Sequence, residues 1–424
     1  MAALKDIAFM GTSTLVRLVF GLLTFAIMAR LLGPNDFGLL MFWLSVATLL
    51  SLVANYGFTP YVLREIGSNR SSANKVMGEV LSAKILVSGF VVAGSLLAMP
   101  FMSATARSVF LLMTLAMLVD SVTDFLNVGY RATNRFSSET RIATIASVSQ
   151  FVIVAGAIWF KSEILIAAGA FLVSRTLVLL ITWANQAQYF ASLRPSPLPK
   201  ALSRLKSAFS YAYDFGLQSL IGQVDSLILN YFLGPVAVGM HQAGMRVFLG
   251  GGQIANVLGN VFIPKLSGLQ NDATAFKAQG QKLQVAFLVS GAAFGLTLAI
   301  AAELIVKILF GADYQPLVIL LPWFGLLFFI RFFAAAYGVL LTSAGKQGLR
   351  AKANLVHWVI ILSSALWLVP KLGNIGWILA LAIGNAFLAA VYFAAMRSAL
   401  PLRLTNSAIV VGTMALFTPF LHVS

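Results

Sequence analysis

From Ile7 to Phe58 the chain reads IAFMGTSTLVRLVFGLLTFAIMARLLGPNDFGLLMFWLSVATLLSLVANYGF, two apolar runs joined by Leu32-Gly33-Pro34. Each run is about 20 residues or longer, the length at which an α-helix crosses a ~30 Å hydrocarbon core. The runs are continuous and do not alternate every second residue, so membrane helices are expected and a barrel is not. Arg17 interrupts the first run and no small-x-small cleavage site precedes Pro34. The segment therefore reads as an uncleaved first helix and not as a secretory signal.

Runs of the same kind recur outward from this pair, near 80–99, 108–130, 141–160, 162–188, 207–232, 236–262, 283–310, 316–341, 354–371 and 375–396. With 7–31 and 38–60 they make twelve expected spans. Ser407 to Val423, broken by Pro419, reads either as a thirteenth span or as a helix lying in the interface. Composition agrees: 59% of the 424 residues are hydrophobic and 10% charged, with mean hydropathy +0.90. Soluble domains carry about 25% charge, so a water-soluble globular protein is excluded and an all-α integral membrane protein is expected. The absence of cysteine removes disulfides, thiol nucleophiles and thiolate metal sites.

The net charge of +16 would also suit a nucleic-acid binder, so the placement of the basic residues decides. The N-terminus and the links after even-numbered spans hold twenty Lys and Arg, among them Lys75, Lys84, Arg131, Arg204, Lys265, Arg350 and Arg397. The links after odd-numbered spans hold only Arg30, Arg107, Lys161, Lys307 and Lys371. Positive charge stays on the cytoplasmic side, so the N-terminus and the even links are expected there, with no nucleic-acid partner.

Near the middle, Pro195, Pro197 and Pro199 hold an extended connection. The expected organisation is a six-helix lobe over 1–191, a cytoplasmic linker over 192–206, a second six-helix lobe over 207–396 and a tail over 397–424. Leu32-Gly33-Pro34-x-x-x-Gly38 recurs as Leu233-Gly234-Pro235-x-x-x-Gly239 at an offset of 201, and Arg64-x-x-Gly67 recurs as Lys265-x-x-Gly268 at the same offset. Six spans is an even number, so the copies enter the membrane in the same direction and form a parallel repeat. The Gly-Pro motif itself reads as a structural turn.

Four arginines remain inside spans: Arg17, Arg175, Arg246 and Arg331. At about 2.5–3.5 kcal/mol each, together they cost roughly 10–14 kcal/mol unless they face water, acids or an anionic ligand. Embedded acids are Asp120 and Asp124, one turn apart on span four, and Asp225 in span seven, with Asp214 and Glu303 nearer span ends. One reading is a set of structural ion pairs. The other is a cationic cavity between the halves that receives a phosphate or pyrophosphate, for which the planar guanidinium fork is suited. In the second reading Asp225, Asp120 or Asp124 can bind a coupling proton or sodium ion.

His241 and His357 read as interfacial hydrogen-bonding residues, and Phe328, Phe329, Phe332 and Phe333 as lipid-facing or packing aromatics. Gly250-Gly251-Gly252 reads as a site of close helix packing or a local break. No G-x-x-x-x-G-K, H-E-x-x-H or G-x-S-x-G motif is present, and no cofactor is expected.

The stretch Ala29-Arg30-Leu31-Leu32-Gly33-Pro34-Asn35-Asp36-Phe37-Gly38, followed by Arg64-Glu65-Ile66-Gly67, resembles bacterial polysaccharide flippases of the multidrug/oligosaccharidyl-lipid/polysaccharide (MOP) exporter superfamily. Asp225 to Pro235 and Val238-Gly239-Met240-His241-Gln242-Ala243 are similar to spans seven and eight of that family, which more often has Tyr where Met240 or His241 stands. The resemblance implies a MATE-like bundle of two six-helix lobes. It also implies alternating access that moves a polyprenyl-(pyro)phosphate-linked oligosaccharide across the bacterial inner membrane for cell-surface polysaccharide synthesis, with polymerase or export machinery as a partner. Related flippases carry essential arginines on spans one, two and eight; Arg17 and Arg246 match the first and last, whereas span two has only Arg64 at its end.

The alternatives are weaker on the residues. A major-facilitator transporter would carry a Gly-x-x-x-Asp-Arg motif after span two, where Arg64-Glu65-Ile66-Gly67-Ser68-Asn69-Arg70 stands. A multidrug antiporter for cations would line its cavity with acid. A membrane-embedded polysaccharide enzyme would need an outward loop large enough to hold catalytic groups, and the outward links are only a few residues long.

Overall fold

The computed structural model describes residues 2–68, 72–132, 136–187, 196–220, 223–397 and 404–421, with backbone alone at 2–12, 68, 132, 136, 187, 213–220 and 404–405. Arg70, Arg135, Arg194, Pro195 and Arg403, named or counted above, lie outside the described residues, as does the 192–206 linker before Ser196. Lys5 and Asp214 are described in backbone only.

The described residues are helical, with no strand among them. The helices are α1 (Ala2–Asn55), α2 (Phe58–Ser68), α3 (Ala73–Ala98), α4 (Ala104–Ala132), α5 (Phe136–Phe160), α6 (Ile164–Ala187) and α7 (Leu198–Leu220). They continue with α8 (Val224–Leu233), α9 (Pro235–Ser267), α10 (Ala273–Ile300), α11 (Ala302–Leu309), α12 (Leu317–Ser343), α13 (Gln347–Met396) and α14 (Leu404–Phe417). At 54 and 50 residues, α1 and α13 are each two helices meeting at a glycine of positive φ, Gly33 at 75° and Gly373 at 58°. Nine of the described helices are long and apolar enough to cross a membrane, and α1 and α13 each hold two, which accounts for eleven of the twelve expected spans; the expected seventh falls on α7 and the short apolar α8.

Helix ends follow the local sequence. Pro34 and Pro235 open helices where the missing N–H costs nothing, each after a glycine that turns the chain. Asp272 caps α10 by accepting from the N–H groups of Thr274 and Ala275 at 3.0 and 2.9 Å. The second half of α1 stops at Asn55, because Tyr56 and Gly57 take positive φ of 44° and 63° before α2 begins.

The chain divides into two compact units, Met1–Leu227 and Ile228–Ser424. In the first, α1, α4, α5 and α6 pack on one another, and α2 and α3 hold α7. The α2/α3/α7 contact is cored by Tyr61, Val62, Met77, Val80, Leu81 and Ala208, all buried. A polar clamp closes it: Arg204 of α7 donates to Glu79 Oε2 at 2.8 Å, to the Tyr61 hydroxyl at 2.7 Å and to Glu65 Oε2 at 3.3 Å.

In the second unit α12 is the central helix, packed by α9, α10 and α13, with 18 of its 27 residues buried. Small residues let it approach its neighbours. A Cβ at Gly295 of α10 would meet the Gly325 carbonyl oxygen of α12 at 2.6 Å, and one at Gly291 would meet Phe332 Cβ at 2.8 Å. The tail helix α14 docks on α10: Phe417 is fully buried beside this glycine pair, and Asn406 donates to Gln284 Oε1 at 2.8 Å. At 14 residues α14 is ~21 Å long, short of the ~30 Å needed to cross perpendicular to the bilayer.

Candidate functional site

In the second unit, α9, α12 and the two halves of α13 enclose a cavity of about 490 Å³, within the ~300–1,000 Å³ usual for small-molecule sites. Arg331 is the fifteenth of the 27 residues of α12 and enters this cavity from an otherwise apolar helix. Its guanidinium lies 5.6 Å from the centroid of the Phe248 ring, a cation–π contact, and has no carboxylate partner among the described residues. Arg350, the fourth residue of α13, joins it in the lining and donates to Thr342 Oγ1 at 2.6 Å. The lining contains no Asp or Glu. Gln253, Asn256, Asn354 and Asn385 add amide groups, and Phe332, Trp358 and Tyr392 add aromatic faces.

His357 also lines the cavity and is 7% exposed, with neither ring nitrogen hydrogen-bonded among the described residues. Such a group needs a partner, and a polar ligand or water in the cavity is placed to supply one. His357 is thus a cavity residue, not an interfacial one. His241 also departs from that reading: it is fully buried on α9 against Phe324 and Trp377, with ring centroids at 5.6 and 6.3 Å.

The other arginines have different settings. Arg246 is half-buried on α9, one turn before Leu249 and two before Gln253 on the same helix face, and both of those line the cavity. Gly250-Gly251-Gly252 stays helical. A Cβ at Gly251 would enter the Phe294 ring, and Gly252 faces the open cavity, so the triplet serves close packing without a break. Phe328 and Phe332, stacked at 4.3 Å, are buried and line the cavity instead of facing lipid.

In the first unit, Arg175 of α6 donates to Asp120 Oδ1 of α4 at 2.8 Å and lies 5.0 Å from the Phe171 ring centroid. Asp124, one turn further on the same face of α4, is exposed and forms no ion pair among the described residues. Arg17 is exposed on α1 and donates to Thr14 Oγ1 at 3.1 Å. Asp225 sits in the first turn of α8, half-buried, and accepts from the Ser226 N–H at 2.7 Å. Ser226 in turn accepts from Ser45 of α1 at 3.0 Å.

Two basic residues that charge counting placed in cytoplasmic links are inside the bundle. Arg350 lines the cavity, and Lys84 is the twelfth residue of α3 and 1% exposed. Both helices begin several residues before their apolar run, so a base near the start of the run is already a turn or more into the helix. A hint for Lys84 was present in the sequence, since Val80-Leu81 precede it and Ile85-Leu86-Val87 follow it.

Solved proteins bearing this architecture include multidrug resistance transporters and a lipid II flippase. Residues 3–270, more than half of the chain, match the family described as polysaccharide biosynthesis protein, and the chain belongs to that family. The capsular polysaccharide biosynthesis protein CapF of Staphylococcus aureus is 25% identical over 194 residues, 43% of this chain and 48% of CapF, so the match spans about half the length of that curated relative. Among solved structures, lipid II flippase MurJ in an inward closed conformation superposes with a TM-score of 0.75 over 98% of this chain and 92% of MurJ, at 14% identity. An inward-facing multidrug resistance MATE family transporter of the MOP superfamily gives 0.72 over 93% of this chain and 96% of its own, also at 14% identity. The fold is that of MOP-superfamily transporters, and the chain is a multi-pass membrane protein.

Proposed function

We propose that this chain moves a polyprenyl-(pyro)phosphate-linked oligosaccharide from the cytoplasmic to the periplasmic leaflet of a bacterial inner membrane by alternating access, as a step in cell-surface polysaccharide synthesis. The observation that carries this reading is the cavity that bears Arg331 and Arg350 without a single acid in its lining. Two guanidinium forks opening into one cavity suit phosphate or carboxylate oxygens. The amides can hydrogen-bond sugar hydroxyls, and Trp358 and Tyr392 offer flat faces for the C–H side of a pyranose ring. The lipid tail stays in the bilayer while the headgroup passes, so the protein need only replace the water around sugar and phosphate.

Arg246, on the same face of α9 as cavity residues, completes the cationic set of the second unit in this proposal, and Arg17 and Arg175 are the first unit's own candidates for substrate contact. Asp225, Asp120 and Asp124 are the acids proposed to bind a coupling proton or sodium ion, Asp120 only on leaving Arg175. The excess of Lys and Arg in even links supports a cytoplasmic N-terminus. A polysaccharide polymerase or export complex would receive the product. The same cavity argues against a cationic drug as substrate, because two arginines with no acid beside them in the lining would repel it.

The test is surface polysaccharide in cells whose own copy is replaced by variants. Arg331→Ala and Arg350→Ala are each expected to reduce display at least tenfold at unchanged membrane abundance, with Arg331→Lys intermediate. Normal display by both alanine variants overturns the assignment of this cavity.

A further inference from the structure

Lys84 has no part in the cavity, yet it is the most completely enclosed charged side chain described, at 1% exposure. Its ammonium donates to three oxygens: the Ala54 carbonyl at 3.2 Å, Asn55 Oδ1 at 2.8 Å and Ser121 Oγ at 2.6 Å. Ser121 itself donates to Asn55 Oδ1 at 2.6 Å, so α1, α3 and α4 meet in one closed hydrogen-bond ring. All three acceptors are neutral. Ala54 and Asn55 are the last residues of α1, immediately before the positive-φ pair Tyr56 and Gly57 that breaks span two. The ammonium thus holds the carbonyl end of a half-helix, a place where broken membrane helices bind monovalent cations.

The charged surroundings are few. On α4, Asp124 is exposed one turn from Ser121 and its charge acts on Lys84, whereas Asp120 is already paired with Arg175 of α6. Also on α4, Arg131 is bound to Glu139. On α3, α2 and α7, Glu79 and Glu65 are bound to Arg204, and Arg64 donates to the Tyr211 hydroxyl. The described end of α1 brings no charge. An enclosed ammonium with no carboxylate bonded to it is a group whose proton can be exchanged, since lysine, unlike arginine, gives up its proton readily when desolvated.

We propose that Lys84 is a proton-exchange site and that its protonation state sets the geometry of the break at Tyr56–Gly57. On release, the ammonium becomes an amine and the proton passes to water at the exposed Asp124 side of α4. The amine keeps two N–H donors and gains a lone pair, so three acceptors can no longer all be served. The Ala54 carbonyl, at the longest distance, loses its bond, and the end of α1 is free to rewind or shift against α3. The role of this exchange in transport rests on the function proposed above; the exchange itself does not.

The experiment is a potentiometric difference titration of the full-length protein in lipid nanodiscs between pH 6 and 9, a range in which ordinary lysines, near 10.4, stay charged. Wild-type protein is expected to release one more proton per chain than Lys84→Met. Where Lys84→Met does not give monodisperse protein, Lys84→Gln, which keeps N–H donors but cannot titrate, replaces it with the same expectation. Equal proton release by wild type and variant overturns the proposal and leaves the transport reading standing. In cells, Lys84→Arg, fixed in the charged form, is expected to lose surface polysaccharide at wild-type abundance; normal display would overturn the role of this exchange in transport.

Discussion

Gly33 and Gly234 hold nearly the same backbone conformation, φ 75° and ψ 169° against φ 82° and ψ −177°, and each precedes the proline that opens the next helix. This region of backbone space is essentially open to glycine alone, at ~1–3 kcal/mol for any other residue. The two positions match at the offset of 201 seen in the sequence, so the repeat extends to dihedral angles. A Cβ at Gly234 would meet nothing within 4 Å. Gly234→Ala is therefore expected to cost ~1–3 kcal/mol from the backbone alone, seen as a lower midpoint of thermal unfolding in detergent with normal insertion.

Gly57 provides the contrast. It too has positive φ, but a Cβ there would lie 2.5 Å from the Tyr211 carbonyl oxygen and 2.7 Å from the Ala212 nitrogen, both backbone atoms of α7 that cannot swing aside. Gly57→Ala should cost more than Gly234→Ala, about 3 kcal/mol or above. Limited proteolysis is expected to show new cleavage within α7.

Arg204 is the base that serves Glu79, whose side chain is 6% exposed, and Glu65. Removing it strands Glu79 in an apolar contact between α3 and α7. Arg204→Met is expected to destabilise the first unit by ~1–3 kcal/mol, less than a fully buried pair because the arginine itself is partly exposed. Glu79→Gln added to it should recover about half of the lost thermal stability; no recovery would locate the loss elsewhere.

The fold was legible because lipid imposes one rule, a continuous apolar run of about 20 residues for each span, and Gly-Pro turns such as Leu32-Gly33-Pro34 mark where runs meet. Arg331 was legible too, since an arginine in the run Leu326 to Phe333 has nowhere inexpensive to go. Lys84, Arg350 and His357 were not assigned to the interior, because each stands near the start of its apolar run and helix length beyond that run cannot be seen in hydropathy. The pairing of Arg175 with Asp120 and the isolation of Arg331 from acids depend on which helices adjoin, which spacing along one helix does not reveal. The tail was ambiguous for a related reason: Phe417 docks in a groove made by Gly295 and Gly325, and Asn406 bonds Gln284, all more than 75 residues earlier in the chain.

Flipping of a lipid-linked oligosaccharide is tested most directly by the leaflet distribution of that lipid in cells depleted of this protein. A membrane-impermeant, sugar-reactive label would be applied to intact and to inverted membrane vesicles. The expected result is labelled lipid on the cytoplasmic side alone after depletion, restored to both sides by the wild-type chain and not by Arg331→Ala. An unchanged distribution after depletion, in cells without a redundant flippase, would contradict the proposed function.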